Sequence, residues 1–300
     1  MLEKFLRRII ACTVMLLLIA SAGHAAKSAG NGKSFLWKVD GKGGAVYLFG
    51  SVHLAKADSY PLPRRIEEGF DKATTLALEA DPGTAIGEEA QQRMVLSAFY
   101  PGNDTLRQHL SKETYDLAAR ELEQLGLSIE QFAKSKPWFL AMTIDVLELQ
   151  QLGYSPEYGV DLYFADKARG KKKIVELESF DSQINLLNGF SDREQELFLL
   201  YTIKDLAAIQ GEMAELMRAW RTGDTKSMEQ IVTKALTDYP ETGPIYEKLY
   251  YQRNREMSGR VEQFLKTGEG CFVVVGAAHL VGKEGIIEIL KRKGYRVEQL

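Results

Sequence analysis

The chain has 300 residues, 45% of them hydrophobic, and a formal net charge of −3. That apolar content supports a sizeable core, and the slight acidity argues against nucleic acid, which calls for a basic face. Only two cysteines are present, so a disulfide scaffold is excluded.

Lys4, Arg7 and Arg8 precede a short apolar run from Ile9 to Ala20, followed by the small residues Ser21-Ala22-Gly23-His24-Ala25-Ala26. This is the layout of a secretory signal peptide over residues 1–25. The apolar run is short for a membrane span. The expectation is an exported protein, periplasmic or secreted, with no stable membrane insertion after cleavage. Removing Lys4, Arg7, Arg8 and Glu3 takes the formal net charge from −3 to −5, and Cys12 leaves with them. No cysteine follows the cleavage region to carry a lipid, and Cys271 reads as a buried small hydrophobe. Residues 26–33 read as a flexible lead-in and residues 34–300 as one domain.

The domain opens with a strand at Phe35–Val39, a hairpin turn at Asp40–Gly44 and a strand at Ala45–Phe49. Pro63 starts a helix whose Ile66, Phe70 and Ala73 recur at helical spacing. Thr74–Glu79 is a third strand, closed by Ala80-Asp81-Pro82-Gly83. Helices are predicted at Glu88–Phe99, Lys112–Gln124, Trp138–Leu152 and Gly159–Ala168. Ile174–Glu178 reads as another strand. Asp181–Leu265 is helical, with breaks near Gly189-Phe190-Ser191, Gly223-Asp224 and Pro240. The chain ends with a strand at Phe272–Val275, a helix at Ile286–Lys293 and an edge strand at Tyr295–Leu300. The fold class is α/β: a central sheet of two pseudo-repeated halves with a large helical insertion between them.

One phrase occurs twice. Gly50-Ser51-Val52-His53 follows the apolar run Ala45–Phe49, and Gly276-Ala277-Ala278-His279 follows Cys271–Val275. Each delivers a histidine just past a buried strand, where open α/β sheets bind ligands. The two glycines are expected to turn the backbone sharply and leave room for a ligand. Glu79 and Glu178 also end strands, so four side chains share one edge if their strands run parallel. Two imidazoles with one or two carboxylates suit a divalent transition metal: Zn, Mn, Co or Fe. Such an ion acidifies a bound water; alternatively one carboxylate serves as general base. By the period of two, Glu176 and Glu178 share a strand face, and Glu79 sits at the crevice edge. Gln183 and Asn185 are candidates to orient a ligand, or to cap the next helix. Arg253, Met257 and Arg260 share a helix face, and an arginine there can clamp a carboxylate or steady an oxyanion. His109 has no glycine turn and reads as surface.

These residues resemble the TraB/GumN family, which is related to the Tiki metalloproteases and more distantly to erythromycin esterases and a haem-binding lipoprotein. The resemblance rests on Tyr47–His53, Leu76–Asp81, Val175–Glu178 with Gln183, Arg253-Asn254 with Met257 and Arg260, and Gly276–His279, in the family's order. It implies two pseudo-repeated halves around a shared site and a metal-dependent hydrolase. By similarity His53, Glu79 and His279 hold the metal, with Glu178, Arg253 and Asn254 as catalytic residues beside it. The expected partner is a peptide or other small substrate. No C-terminal apolar segment is evident, so a soluble periplasmic protein is expected rather than a tethered one. Two other readings stay open: a non-catalytic module binding haem, peptide or saccharide, and a metal-free esterase using His53 as base with Glu79.

Overall fold

The computed structural model describes residues 32–42, 44–85 and 88–300. The predicted leader, and the lead-in as far as residue 31, lie outside the described residues. Six strands form one sheet: β1 (Leu36–Asp40), β2 (Ala45–Ser51), β3 (Thr75–Leu78), β4 (Lys173–Glu176), β5 (Cys271–Gly276) and β6 (Val297–Gln299), in the spatial order β4-β3-β5-β2-β1-β6. Strands β4, β3, β5 and β2 are parallel neighbours, and β1 is antiparallel to both β2 and β6. All six residues of β5 are buried, as a parallel strand flanked on both sides requires. The edge strand β4 instead exposes Lys173 and Glu176.

The register sets the site. Leu78 of β3 sits opposite Val274 of β5, and Ser51 of β2 opposite Gly276. Both Gly-x-x-His phrases therefore leave the same edge of one sheet. The sheet does not divide into an early and a late half: β5, from the end of the chain, lies between β2 and β3 from its beginning.

The major helices are α1 (Arg64–Lys72), α2 (Glu88–Ala98), α3 (Lys112–Gln124), α4 (Pro137–Gln151), α5 (Val160–Ala168), α6 (Phe180–Asn188), α7 (Asp192–Asp205), α8 (Ile209–Thr222), α9 (Thr225–Asp238), α10 (Arg253–Thr267) and α11 (Ile286–Arg292). Capping boxes at Ser179 and Ser191 fix the starts of α6 and α7, satisfying N–H groups that have no partner within the helix. Phe164 stacks the sheet core together, with ring centroids 5.0 Å from Phe272, 5.0 Å from Phe70 and 5.7 Å from Phe49. Helix α4 is buried on nearly every side. It joins this core to a second cluster in the helical insertion, built on Leu106, Leu122, Phe132, Leu140, Ile144 and Leu199.

Several expectations need correction. Neither Gly50 nor Gly276 has a positive φ. Gly50 is required by close packing: a Cβ there would lie 2.5 Å from the Phe35 ring and 3.0 Å from the Ala277 backbone. Strand β4 ends at Glu176, so the period of two does not reach Glu178; Glu176 is exposed while Glu178 turns inward. The cap of α6 is Ser179, not Gln183 or Asn185. His109 is half-buried, with Nε2 3.0 Å from Asp104, Nδ1 3.2 Å from Asp192, and its ring stacked on Tyr100. A π-helical segment, Glu247–Gln252, leads into α10, where the sequence pattern had shown only continuous helix.

Candidate functional site

Past the ends of β3 and β4 the chains stay paired. Leu177 N–H donates to Leu78 O and Glu178 N–H to Glu79 O, each at 2.7 Å. This brings the two glutamates side by side, and Arg253 closes over both. Its Nε donates to Glu178 Oε1 at 2.9 Å, and its Nη2 to Glu178 Oε2 at 2.8 Å and to Glu79 Oε2 at 3.0 Å. Its Nη1 donates to Leu249 O at 3.0 Å. Arg253 is only 3% exposed, and its buried charge is tolerable because its donors meet two carboxylates. The π segment ends immediately before Arg253, and its wider turn changes the helical phase at the start of α10. Arg253 is thus occupied in holding Glu79 and Glu178, rather than standing free for an oxyanion.

His279 lies on a helical turn after β5 and is 2% exposed. Asn254 Nδ2 donates to Glu284 O at 2.8 Å, which fixes its amide, so Asn254 Oδ1 accepts from His279 Nδ1–H at 2.6 Å. The other ring nitrogen, Nε2, then carries the lone pair, and it faces Glu79 Oε1 at 3.6 Å. Burial, aided by the nearby Arg253 and His53 charges against the pull of Glu79, drives the His279 pKa down to about 3. The imidazole is neutral at neutral pH. Glu79 also accepts a hydrogen bond from Gly276 N–H. Burial opposes its ionisation, but the His279 imidazolium present at low pH, then Arg253 and His53, hold its pKa down to about 2.

His53 reaches the site from the other side. Helix α5 docks its first N–H, from Val160, on Val52 O at 3.1 Å. Gly159 makes this approach possible, since a Cβ there would lie 2.5 Å from His53 O. Asp161, in the first turn of α5, then meets His53 Nδ1 at 3.1 Å. Burial would lower the His53 pKa, but the charge and hydrogen bond of Asp161, with the charge of Glu79, raise it above 6.5. This contact occupies Nδ1 of the ring. Sequence reasoning missed Asp161. Its only sequence signal is an acidic residue in the first turn after Gly159, and nothing local ties it to a histidine 108 positions away.

Of the six predicted site residues, the structure joins Glu79, Glu178 and Arg253 by hydrogen bonds, and Asn254 to His279. His279 faces Glu79, and His53 couples to the group by charge alone. The donor chemistry suits a divalent ion: each imidazole is pinned at Nδ1 by an oxygen, which fixes ligand histidines in the Nε2-binding tautomer. Two ligand atoms on one tetrahedral ion at the usual bond lengths lie about 3.4 Å apart, close to the His279–Glu79 spacing of 3.6 Å. Among the described residues, no group of three His, Cys, Asp or Glu side chains is already arranged to hold an ion.

The sequence profile of the TraB/PrgY/gumN family matches residues 35–299. The chain belongs to this family. It is 26% identical over 257 residues to Uncharacterized protein YbaP of Escherichia coli (strain K12), covering 82% of this chain and 87% of the relative. It is 24% identical to Metalloprotease TIKI2 of Xenopus tropicalis over 91% of this chain, and 20% identical to Metalloprotease TIKI1 of Homo sapiens over 88%. The chain spans 61% of the length of each of these two metalloproteases. No solved structure matches. Among the described residues, no helix is long and apolar enough to cross a membrane.

Proposed function

We propose that this protein is an exported hydrolase of the metalloprotease type. In this reading His53, Glu79 and His279 hold a divalent transition ion (Zn, Mn, Co or Fe), and the substrate is a peptide or another small molecule. One observation carries it: a neutral, buried His279 presents its Nε2 lone pair to an ionised Glu79, with Asn254 fixing the tautomer. The named metalloprotease relatives support the same class of chemistry, and the leader-like N-terminus supports export. An ion bound there would acidify water and polarise a carbonyl. Arg253 keeps Glu79 ionised and aimed, Glu178 anchors Arg253, Asn254 and Asp161 orient the two imidazoles, and the buried floor keeps bulk water away.

The deciding experiment measures metal content by mass spectrometry and peptide-cleaving activity on the same preparation. The expected result is bound transition metal, lost with activity in His279→Ala and His53→Ala. Unchanged metal content and unchanged activity in both variants overturns the proposal. The His53–Asp161 dyad favours a second reading, in which His53 is a general base without metal. Full activity after exhaustive chelation selects it.

A further inference from the structure

The site just described leaves one buried polar atom unmatched on its Glu178 side. Gln183 is 6% exposed, and its Nε2 donates to Glu178 Oε2 at 3.2 Å. A carboxylate bound to Arg253 is an acceptor, so it fixes the amide orientation: the NH2 group meets Glu178 and the carbonyl Oε1 points elsewhere. That Oε1 is buried and has no hydrogen-bond partner. A buried acceptor without a donor is costly, about 1–3 kcal/mol, and asks what donor it serves.

Gln183 lines a groove of about 820 Å³ together with Glu178, Asn185, Gln252, Arg253 and Glu256. The floor of this groove is the Glu178–Arg253 pair, one hydrogen bond from Glu79. Leu177 and Leu186 give the walls apolar stretches, but most of the lining residues are polar or charged, whereas haem requires an apolar slot. Neighbouring Ser182 is already used, since its hydroxyl closes the capping box of α6. The unmatched Gln183 oxygen is therefore an acceptor that a bound donor would satisfy.

We infer that this groove receives an extended peptide and that Gln183 Oε1 accepts one main-chain N–H from it. The inference rests on the peptidase reading above. Gln183 is then a substrate-binding residue, placed between the solvent-facing groove and the pair that holds Glu79.

The test is a cycle between backbone N-methylation and Gln183. Decapeptides from a synthetic mixture that the metal-loaded protein cleaves are identified by mass spectrometry, and one is remade with each amide N-methylated in turn. If none is cleaved, the same scan is run on peptide affinity for the metal-free protein by calorimetry. The expected result is one N-methyl position that weakens KM, or affinity, about tenfold. Gln183→Met weakens the unmethylated peptide equally and adds nothing at that position. The scan on the unmutated protein stands even if Gln183→Met fails to fold, and Gln183→Asn then replaces it. Additive losses, or no sensitive amide, overturn the inference while leaving hydrolysis intact. Coupled binding without cleavage overturns the hydrolase reading and keeps the groove. Peptides neither cleaved nor bound overturn the inference.

Discussion

Two places in this fold withdraw carboxylates from water, and they resolve the same problem in opposite ways. At the sheet edge, Glu79 is buried against Arg253 and stays ionised, its pKa held down to about 2. In the helical layer, Asp145 of α4 and Asp205 of α7 line a small cavity of about 70 Å³ walled by Tyr201, Tyr246 and Leu249. Burial first, then the like charges of Asp205, Glu148 and Glu212, push the Asp145 pKa up to about 8. Desolvation acts in the same direction in both places, so the counter-charge decides the outcome. The paired site holds a charged, aimed carboxylate suited to chemistry; the other stores a proton and weakens the fold at neutral pH.

The largest expected effect comes from removing the counter-charge. Arg253→Met leaves Glu79 and Glu178 buried without their cation, and breaking such a pair costs about 3–5 kcal/mol. Urea denaturation should show that loss, and carboxyl NMR should show the Glu79 pKa moving upward toward the Asp145 pattern. Arg253→Lys should recover only part, because an ammonium cannot span both carboxylates as the guanidinium fork does. A Glu79 that stays ionised below pH 4.5 in Arg253→Met would break the comparison at its root.

The opposite manipulation is Asp145→Asn. An ordinary aspartate titrates near 3.8, but in the folded chain Asp145 holds its proton to about 8. Between those values the folded state binds more protons than the unfolded state, so stability falls as pH rises. Asp145→Asn should be nearly neutral at pH 4 and stabilising by pH 8, on the order of 1–3 kcal/mol once partial exposure is allowed for. Thermal melts of both proteins across that range check it. An equal stability change at both ends of the range would mean the carboxylate is not the cause.

The sequence revealed strand ends and missed what crosses between elements. The Gly-x-x-His phrases are legible because strand, glycine and histidine are adjacent in the chain, and β2 and β5 do lie side by side. Glu79 is legible for the same reason. Glu178 was placed by extending a strand period past the point where β4 stops; what places it is the backbone pairing of Leu177 and Glu178 with Leu78 and Glu79. Asp161 could not be found, because its link to His53 depends on how α5 docks against the loop after β2. The π segment before Arg253 leaves no mark in an apolar pattern that is helical on both sides. His109 was read as exposed because its two aspartate partners are contributed by a preceding loop and by the start of α7.

Asp205 is the intermediate case and gives the finest test. Burial raises its pKa and Asp238 adds to this, but Lys234 partly offsets both, so it reaches only about 6. Lys234 is itself shared with Asp238 through a direct ion pair, which explains why the offset is incomplete. If a counter-charge sets the outcome by degree, Asp205→Asn should stabilise by about half as much as Asp145→Asn, in proportion to the smaller shift. The sign is the same, because the folded state again holds the extra proton, but the window is narrower: the gain should grow from pH 3.8 and level off near 6 instead of near 8. Paired melts of the two variants at pH 4, 6 and 8 read this directly. A gain from Asp205→Asn that keeps climbing to pH 8 would mean Lys234 contributes nothing there, and would reduce the graded comparison to two isolated extremes.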